Sequence, residues 1–235
     1  MGQTLGKTIR GTDFFEKYTV GKKMGGGTFG IVKKCVHKVS GQERAVKTMK
    51  KRKMGDKEKI QLKREIETLK KIDHPNVMRI YEYFEDEIEV RIVTELVEGG
   101  ELFDEILRRD AFNEAEAGTI MKEVLACMKY IHKKGIMHRD LKPDNIMLEK
   151  DKKLDQIKII DFGFSRFYKS NEFAKTTCGT LSYTAPEIFK KNYTEKCDIW
   201  ACGVITFALI SGILPFTGLK EIEQGEVNFE VPEFE

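Results

Sequence analysis

The hydrophobic pattern of the chain changes once, at Gly99-Gly100, and that change limits the folds open to it. Before it, five short runs read as strands: Tyr18–Met24, Ile31–Val39, Arg44–Met49, Met78–Phe84 and Val90–Glu95, with a turn at Ser40-Gly41. One charged helix, about 57–72, interrupts them and ends at His74-Pro75-Asn76. After Gly100 the text is helical. Asn113 with Glu116 three residues on forms a capping box, Ile120, Val124, Met128 and Ile131 share a face, and Gly135 supplies the stop. The run Ile199–Leu214 is apolar but shorter than the ~20 residues needed to span a bilayer, so it reads as a helix buried on all faces. The expected class is α+β: a small β-rich lobe with one helix, then a larger, mainly helical lobe. A hinge is expected near Leu96–Glu98, and a cleft between lobes is a natural place for a cofactor. The expected boundaries are 1–17 for a polar N-terminal extension, 18–97 for the first lobe and 98–235 for the second.

Composition narrows the function classes. The apolar fraction is 40% and the charged fraction 34%, an ordinary soluble balance. The five cysteines form no C-x-x-C pair, which argues against a zinc site or a secreted disulfide framework and for a reducing, cytoplasmic setting. The first 30 residues hold no apolar signal region. Residues 1–70 hold 19 Lys/Arg against 7 Asp/Glu, an excess of 12 in a chain whose net charge is +3. The run Lys50-Lys51-Arg52-Lys53 lacks interleaved aromatics, so it reads as solvated and not as a nucleic-acid patch.

Three features of the first lobe suggest phosphate chemistry, each with a bland alternative. In Gly25-x-Gly27-x-x-Gly30-x-Val32, glycines at a hairpin allow backbone N–H groups to lie over phosphates, and a plain Gly-rich turn is the alternative. A dinucleotide fold would open a helix after the third glycine; here a strand follows. Lys47 on the next strand could hold α- and β-phosphates, or be one more exposed strand lysine. Glu65, on the helix with Leu62 and Leu69, could reach and orient Lys47, or be a surface glutamate.

The decisive segment is His138-Arg139-Asp140-Leu141-Lys142-Pro143-Asp144-Asn145. Asp161-Phe162-Gly163 begins 21 residues after Asp140, and Ala185-Pro186-Glu187 comes later. In this order, after the glycine loop and Lys47, the set resembles the protein kinase family from Tyr18 to about Phe216. The resemblance implies a bilobal protein kinase-like fold, with ATP and Mg²⁺ as cofactors and protein Ser/Thr hydroxyls as acceptors. It implies that Asn145 and Asp161 hold Mg²⁺, that Asp140 receives or orients the hydroxyl proton, and that Lys142 neutralises the moving phosphoryl group. Thr180 would brace Asp140 and Lys142. Thr94 stands at the gatekeeper position, Glu95 and Val97 would offer backbone groups to adenine, and Val32, Ala45 and Met147 would sandwich the ring. Leu69, Ile80, His138 and Phe162 would form a spine anchored by Asp198. The Asp140–Lys142 pair resembles the serine/threonine branch.

Within that branch, Glu98–Asp104, His74-Pro75-Asn76 and Thr177–Thr180 are similar to the calcium/calmodulin-regulated and calcium-dependent group. Glu101 is then the candidate acid for a basic substrate residue three positions before the acceptor. Thr176 is the candidate regulatory phosphosite, with Arg139 as its partner. No calmodulin-binding helix or EF-hand loop is found, so calcium control is not expected from these residues. The chain is expected to be C-terminally truncated relative to the family, leaving Glu187 without the arginine that pairs with it there, and a kinase-like nucleotide-binding module with little transfer is the alternative reading. Met1-Gly2 begins a myristoylation pattern, with Gly6 where Ser or Thr is expected. Membrane association is expected only if Gly2 is acylated, and then weakly.

Overall fold

The computed structural model describes residues 9–10, 13–27, 30–168, 173–176 and 178–230. They form two compact units, one of residues up to Asp73 with Met78–Val97, the other of His74–Val77 with the residues from Glu98 onward. Gly2 lies outside the described residues, as do Thr28 and Phe29 of the glycine-rich stretch.

The first unit contains β1 (Ile9–Arg10), α1 (Asp13–Lys17), β2 (Tyr18–Gly27), β3 (Gly30–His37), β4 (Glu43–Lys50), α2 (Asp56–Leu69), β5 (Ile80–Glu85) and β6 (Glu89–Thr94). The strands make one sheet in the order β1-β5-β6-β4-β3-β2, antiparallel except for β1 against β5. β6 sits inside the sheet, which is why Val90, Arg91, Ile92 and Val93 read as a continuous run instead of alternating: both faces are covered. On one face Ile92 and Val90 pack with Met49, Ile80 and the α2 residues Leu62 and Ile66. On the other, Val93 and Val46 pack with Cys35, Tyr18, Phe84 and Phe14.

Phe14 corrects the sequence reading. Residues 1–17 read as a polar extension, and one helix was expected in this unit. Instead α1 carries Phe14 into the core at 1% exposure, with ring centroids 5.4 Å from Tyr18 and 5.3 Å from Phe84. A five-residue helix has too few turns for a periodic signal, but the second sheet face needed a lid. The strand expected to reach Val39 ends at His37, and Val39 is 91% exposed in the turn that follows.

The second unit contains α3 (Leu102–Arg109), α4 (Glu114–Lys133), β7 (Ile136–Met137), β8 (Ile146–Leu148), β9 (Ile157–Ile159), β10 (Arg166–Phe167), α5 (Pro186–Phe189), α6 (Lys196–Ser211) and α7 (Leu219–Gln224). The Asn113 capping box forms as its spacing requires. Asn113 Oδ1 accepts the Glu116 N–H at 3.0 Å, and Glu116 Oε2 accepts the Asn113 N–H at 3.3 Å. Ile120, Val124, Met128 and Ile131 are fully buried, and Gly135 turns the chain at φ +70°.

The apolar run also needs correction. It folds as α6, which ends at Gly212 with φ +71°, where a Cβ would lie 2.1 Å from the Asp110 carbonyl oxygen. The helix is not buried on all faces: Ile199 is 47% exposed, and Ile213 and Leu214 beyond its end are also exposed. No helix among the described residues is long and apolar enough to cross a membrane.

Candidate active site

The second unit gathers Asp140, Lys142, Asn145 and Thr180 into one hydrogen-bonded cluster. Asp140 follows Arg139, whose φ of +69° is strained for any residue that carries a Cβ. What holds that bend is Asp198, a carboxylate at 1% exposure in the first turn of α6. Asp198 accepts the backbone N–H of His138 at 2.9 Å and of Arg139 at 2.8 Å, and His132 Nε2 lies 2.7 Å away. Burial pushes the Asp198 carboxyl up, but the bond and charge of His132 and the Arg139 amide outweigh it, so the group sits below the usual carboxylate range.

Asp140 is 7% exposed, and its two carboxylate oxygens are treated differently. Oδ1 accepts the Thr180 backbone N–H and the Thr180 hydroxyl, each at 2.9 Å. That hydroxyl in turn accepts from Lys142 Nζ at 2.9 Å. Oδ2 has Asn145 Nδ2 at 3.3 Å and Lys142 Nζ at 3.9 Å. Asn145 Nδ2 also donates to the Asp140 carbonyl at 2.8 Å. The amide nitrogen of Asn145 is thus committed to Asp140, which leaves its oxygen as the ligand-forming end. Gly179 lets Thr180 approach this closely: at φ +102° its missing Cβ would lie 2.8 Å from the Arg139 carbonyl oxygen.

Asp161 is exposed and also bends at positive φ, +59°, with Oδ1 accepting the Gly163 N–H at 3.0 Å. Phe162 is fully buried, its ring 4.8 Å from His138. His138 Nδ1 accepts the Asp140 N–H at 3.3 Å, which places the ring proton on Nε2, a buried nitrogen with no hydrogen-bond partner among the described residues. A carboxylate and an amide oxygen suit a hard divalent cation such as Mg²⁺, which keeps several waters and needs few protein ligands.

Glu101 stands at the N-cap position of α3 and bridges antiparallel to Met147 in β8. Burial, then the carboxylates of Asp104 and Asp144, push the Glu101 carboxyl above its ordinary value against the charge of Lys142. Three carboxylates around one point favour a cationic side chain. Glu187, by contrast, makes no ion pair among the described residues.

In the first unit the glycine hairpin forms in register, with Gly25 opposite Val32 and Gly27 opposite Gly30. A Cβ on Gly25 would meet nothing within 4 Å. One on Gly30 would lie 2.6 Å from the Thr48 carbonyl oxygen, so sheet packing alone requires that glycine. Lys47, opposite Ile92 and Val32, is exposed. Lys47 makes no ion pair among the described residues, and Glu65 is half-buried on α2. Ala45 and Thr94 are cross-strand partners, and the Thr94 hydroxyl donates to the Glu95 carbonyl at 3.1 Å. Glu95 N–H donates to Arg79 O at 3.0 Å, and Val97 is buried.

Tyr193 carried no signal in the sequence. Its buried hydroxyl lies 2.9 Å from Arg139 Nη1 and donates to the Thr176 carbonyl at 2.7 Å. A lone tyrosine between Asn192 and Thr194 has no periodic context to mark it.

The family described as protein kinase domain matches residues 18–233. The chain is 44% identical over 229 residues to calcium-dependent protein kinase 4 of Plasmodium berghei (strain Anka), covering 94% of this chain and 43% of the relative. It is 44% identical over 214 residues to calcium-dependent protein kinase 5 of Plasmodium falciparum (isolate 3D7), covering 88% of this chain and 37% of the relative. The chain thus spans less than half the length of these curated relatives. With that match over nearly its whole length, the chain belongs to the protein kinase domain family.

Proposed function

We propose that this chain is the catalytic domain of a protein serine/threonine kinase that moves the γ-phosphate of Mg·ATP onto a protein hydroxyl. The observation that carries the reading is the asymmetric setting of Asp140. Thr180 holds Oδ1 with two bonds at 2.9 Å, whereas Oδ2 has only the longer bond from Asn145 Nδ2 at 3.3 Å, so Oδ2 is the oxygen to meet an incoming Ser or Thr hydroxyl and take its proton. Lys142, bound to the Thr180 hydroxyl, places its charge beside the same oxygen, where negative charge builds on the phosphoryl group. Phosphoryl transfer needs mainly positioning and charge neutralisation, and this cluster supplies both.

Mg²⁺ would supply a bridge between phosphate oxygens and neutralise their charge; Asp161 and the Asn145 amide oxygen are the residues to hold it. The glycine hairpin and Lys47 are assigned to the phosphates, with Glu65 orienting Lys47 once α2 brings the two together. Val32, Ala45, Thr94, Glu95, Val97 and Met147 are assigned to the adenine. Glu101, aided by Asp104 and Asp144, selects substrates with a basic residue before the acceptor. Thr176, exposed with its hydroxyl 2.8 Å from Arg139 Nη1, is the proposed regulatory phosphosite. The names of the relatives suggest calcium dependence for a longer protein of which this would be the kinase part.

That Lys47 makes no ion pair among the described residues favours one competing reading, a nucleotide-binding module with little transfer. Asp140→Asn separates the two. The kinase reading predicts unchanged ATP binding and a large loss of turnover. A protein that binds ATP but transfers nothing even before mutation supports the module.

A further inference from the structure

We propose that Tyr193 is a positioning residue that holds Ala174, Thr176 and Cys178 in place while Thr176 carries no phosphate. Its functional consequence rests on the kinase reading above; its structural part does not.

The phenol makes the fullest use of its chemistry. Its one proton goes to the Thr176 carbonyl at 2.7 Å, and its oxygen accepts from Arg139 Nη1 at 2.9 Å. Cys178 Sγ lies 3.9 Å from the same oxygen. The main chain of Tyr193 also exchanges both bonds with Ala174, N–H to O at 2.8 and 3.4 Å. One residue therefore grips the segment at three points, 174, 176 and 178. Tyr193 and Ala174 are each 1% exposed, whereas Thr176 is open to solvent. Burial raises the Tyr193 pKa, against the bonds to Thr176 and Arg139, so the hydroxyl keeps its proton and remains a donor.

Arg139 completes the knot. Its Nε donates to the Phe164 carbonyl at 2.7 Å and its Nη1 serves both Thr176 Oγ1 and Tyr193. A neutral hydroxyl thus already links Arg139 to position 176, the link a phosphate there would make with charge. Once Thr176 is phosphorylated, the charged pair makes the phenol redundant. Loss of the hydroxyl must then cost the unphosphorylated form more than the phosphorylated one, a difference that a purely structural role would not produce.

Tyr193→Phe keeps the buried ring and removes only the hydroxyl. Amide exchange is measured at Ala174, Lys175, Thr176 and Cys178, with α6 as internal control, and turnover is measured with and without phosphate on Thr176. Without phosphate, the variant should exchange about tenfold faster at those amides and turn over about tenfold more slowly at unchanged KM for ATP. Phosphorylation of Thr176 should restore both. Exchange equal to wild type, or a loss of equal size in both phosphorylation states, overturns the proposal. If wild type transfers no phosphate, the kinase reading fails, and exchange alone still decides the role of Tyr193.

Discussion

The Thr180 hydroxyl lies 2.9 Å from Asp140 Oδ1 and 2.9 Å from Lys142 Nζ, joining two charged groups that themselves stand 3.9 Å apart. A single oxygen therefore sets the spacing between the proposed base and the proposed phosphoryl-neutralising cation. Thr180→Ala should lower kcat by about 10- to 100-fold with little change in KM for ATP, and Thr180→Ser should restore most of it. Steady-state kinetics on the two variants checks this; an alanine variant as fast as wild type would detach Thr180 from the chemistry.

Asp198 predicts a pH dependence of stability. Its folded pKa is depressed, so the unfolded state binds the proton more readily than the native state at low pH. The stabilisation is present above the ordinary carboxylate value, about 3.9, and is lost as pH falls through the lower folded value. Acid unfolding curves should flatten in that window for Asp198→Asn. At neutral pH, Asp198→Ala should cost about 3 kcal/mol or more, since three donors lose a buried acceptor. Chemical denaturation from pH 7 to pH 3 measures both effects.

Glu101 predicts a pH dependence of substrate binding with its own sign. Its carboxyl is raised, so it gains a proton at a higher pH than an ordinary glutamate. KM for peptides with an arginine before the acceptor should rise as pH falls from 7 toward 5. Glu101→Gln should raise that KM severalfold at pH 7 and make it nearly independent of pH. Peptides with alanine at that position should respond to neither change.

Phe14 predicts that the N-terminal helix belongs to the core. Phe14→Ala removes a ring buried among Tyr18, Phe84 and Val93 and should cost about 3–5 kcal/mol. A melting temperature unchanged by the substitution would show that α1 is dispensable.

Much of this was legible because the chemistry fixes residue types at fixed spacings. Asp140, Lys142 and Asn145 had to share one loop, and the structure brings them together with Thr180, which stands 35 residues after Asn145. Long elements with a strong period were also legible, as Asn113 and the Ile120–Ile131 face of α4 illustrate. Short pieces were not. Phe14 lies on five residues, too few to show a period, and its burial depends on a sheet face assembled from distant strands. Tyr193 depends on hydrogen bonds to residues 17 and 54 positions away. Lys47 shows the opposite limit: its place on the strand was legible, but among the described residues it makes no ion pair.

The central claim is that Asp140 serves transfer of phosphate to a hydroxyl. The most direct measurement is incubation of the protein with Mg²⁺, γ-labelled ATP and a mixed peptide library, followed by phosphoamino-acid analysis. Label should appear on serine and threonine, not tyrosine, and fall by about a thousandfold or more in Asp140→Asn without loss of ATP binding. Label on tyrosine alone, or equal labelling by the Asp140→Asn protein, would contradict it.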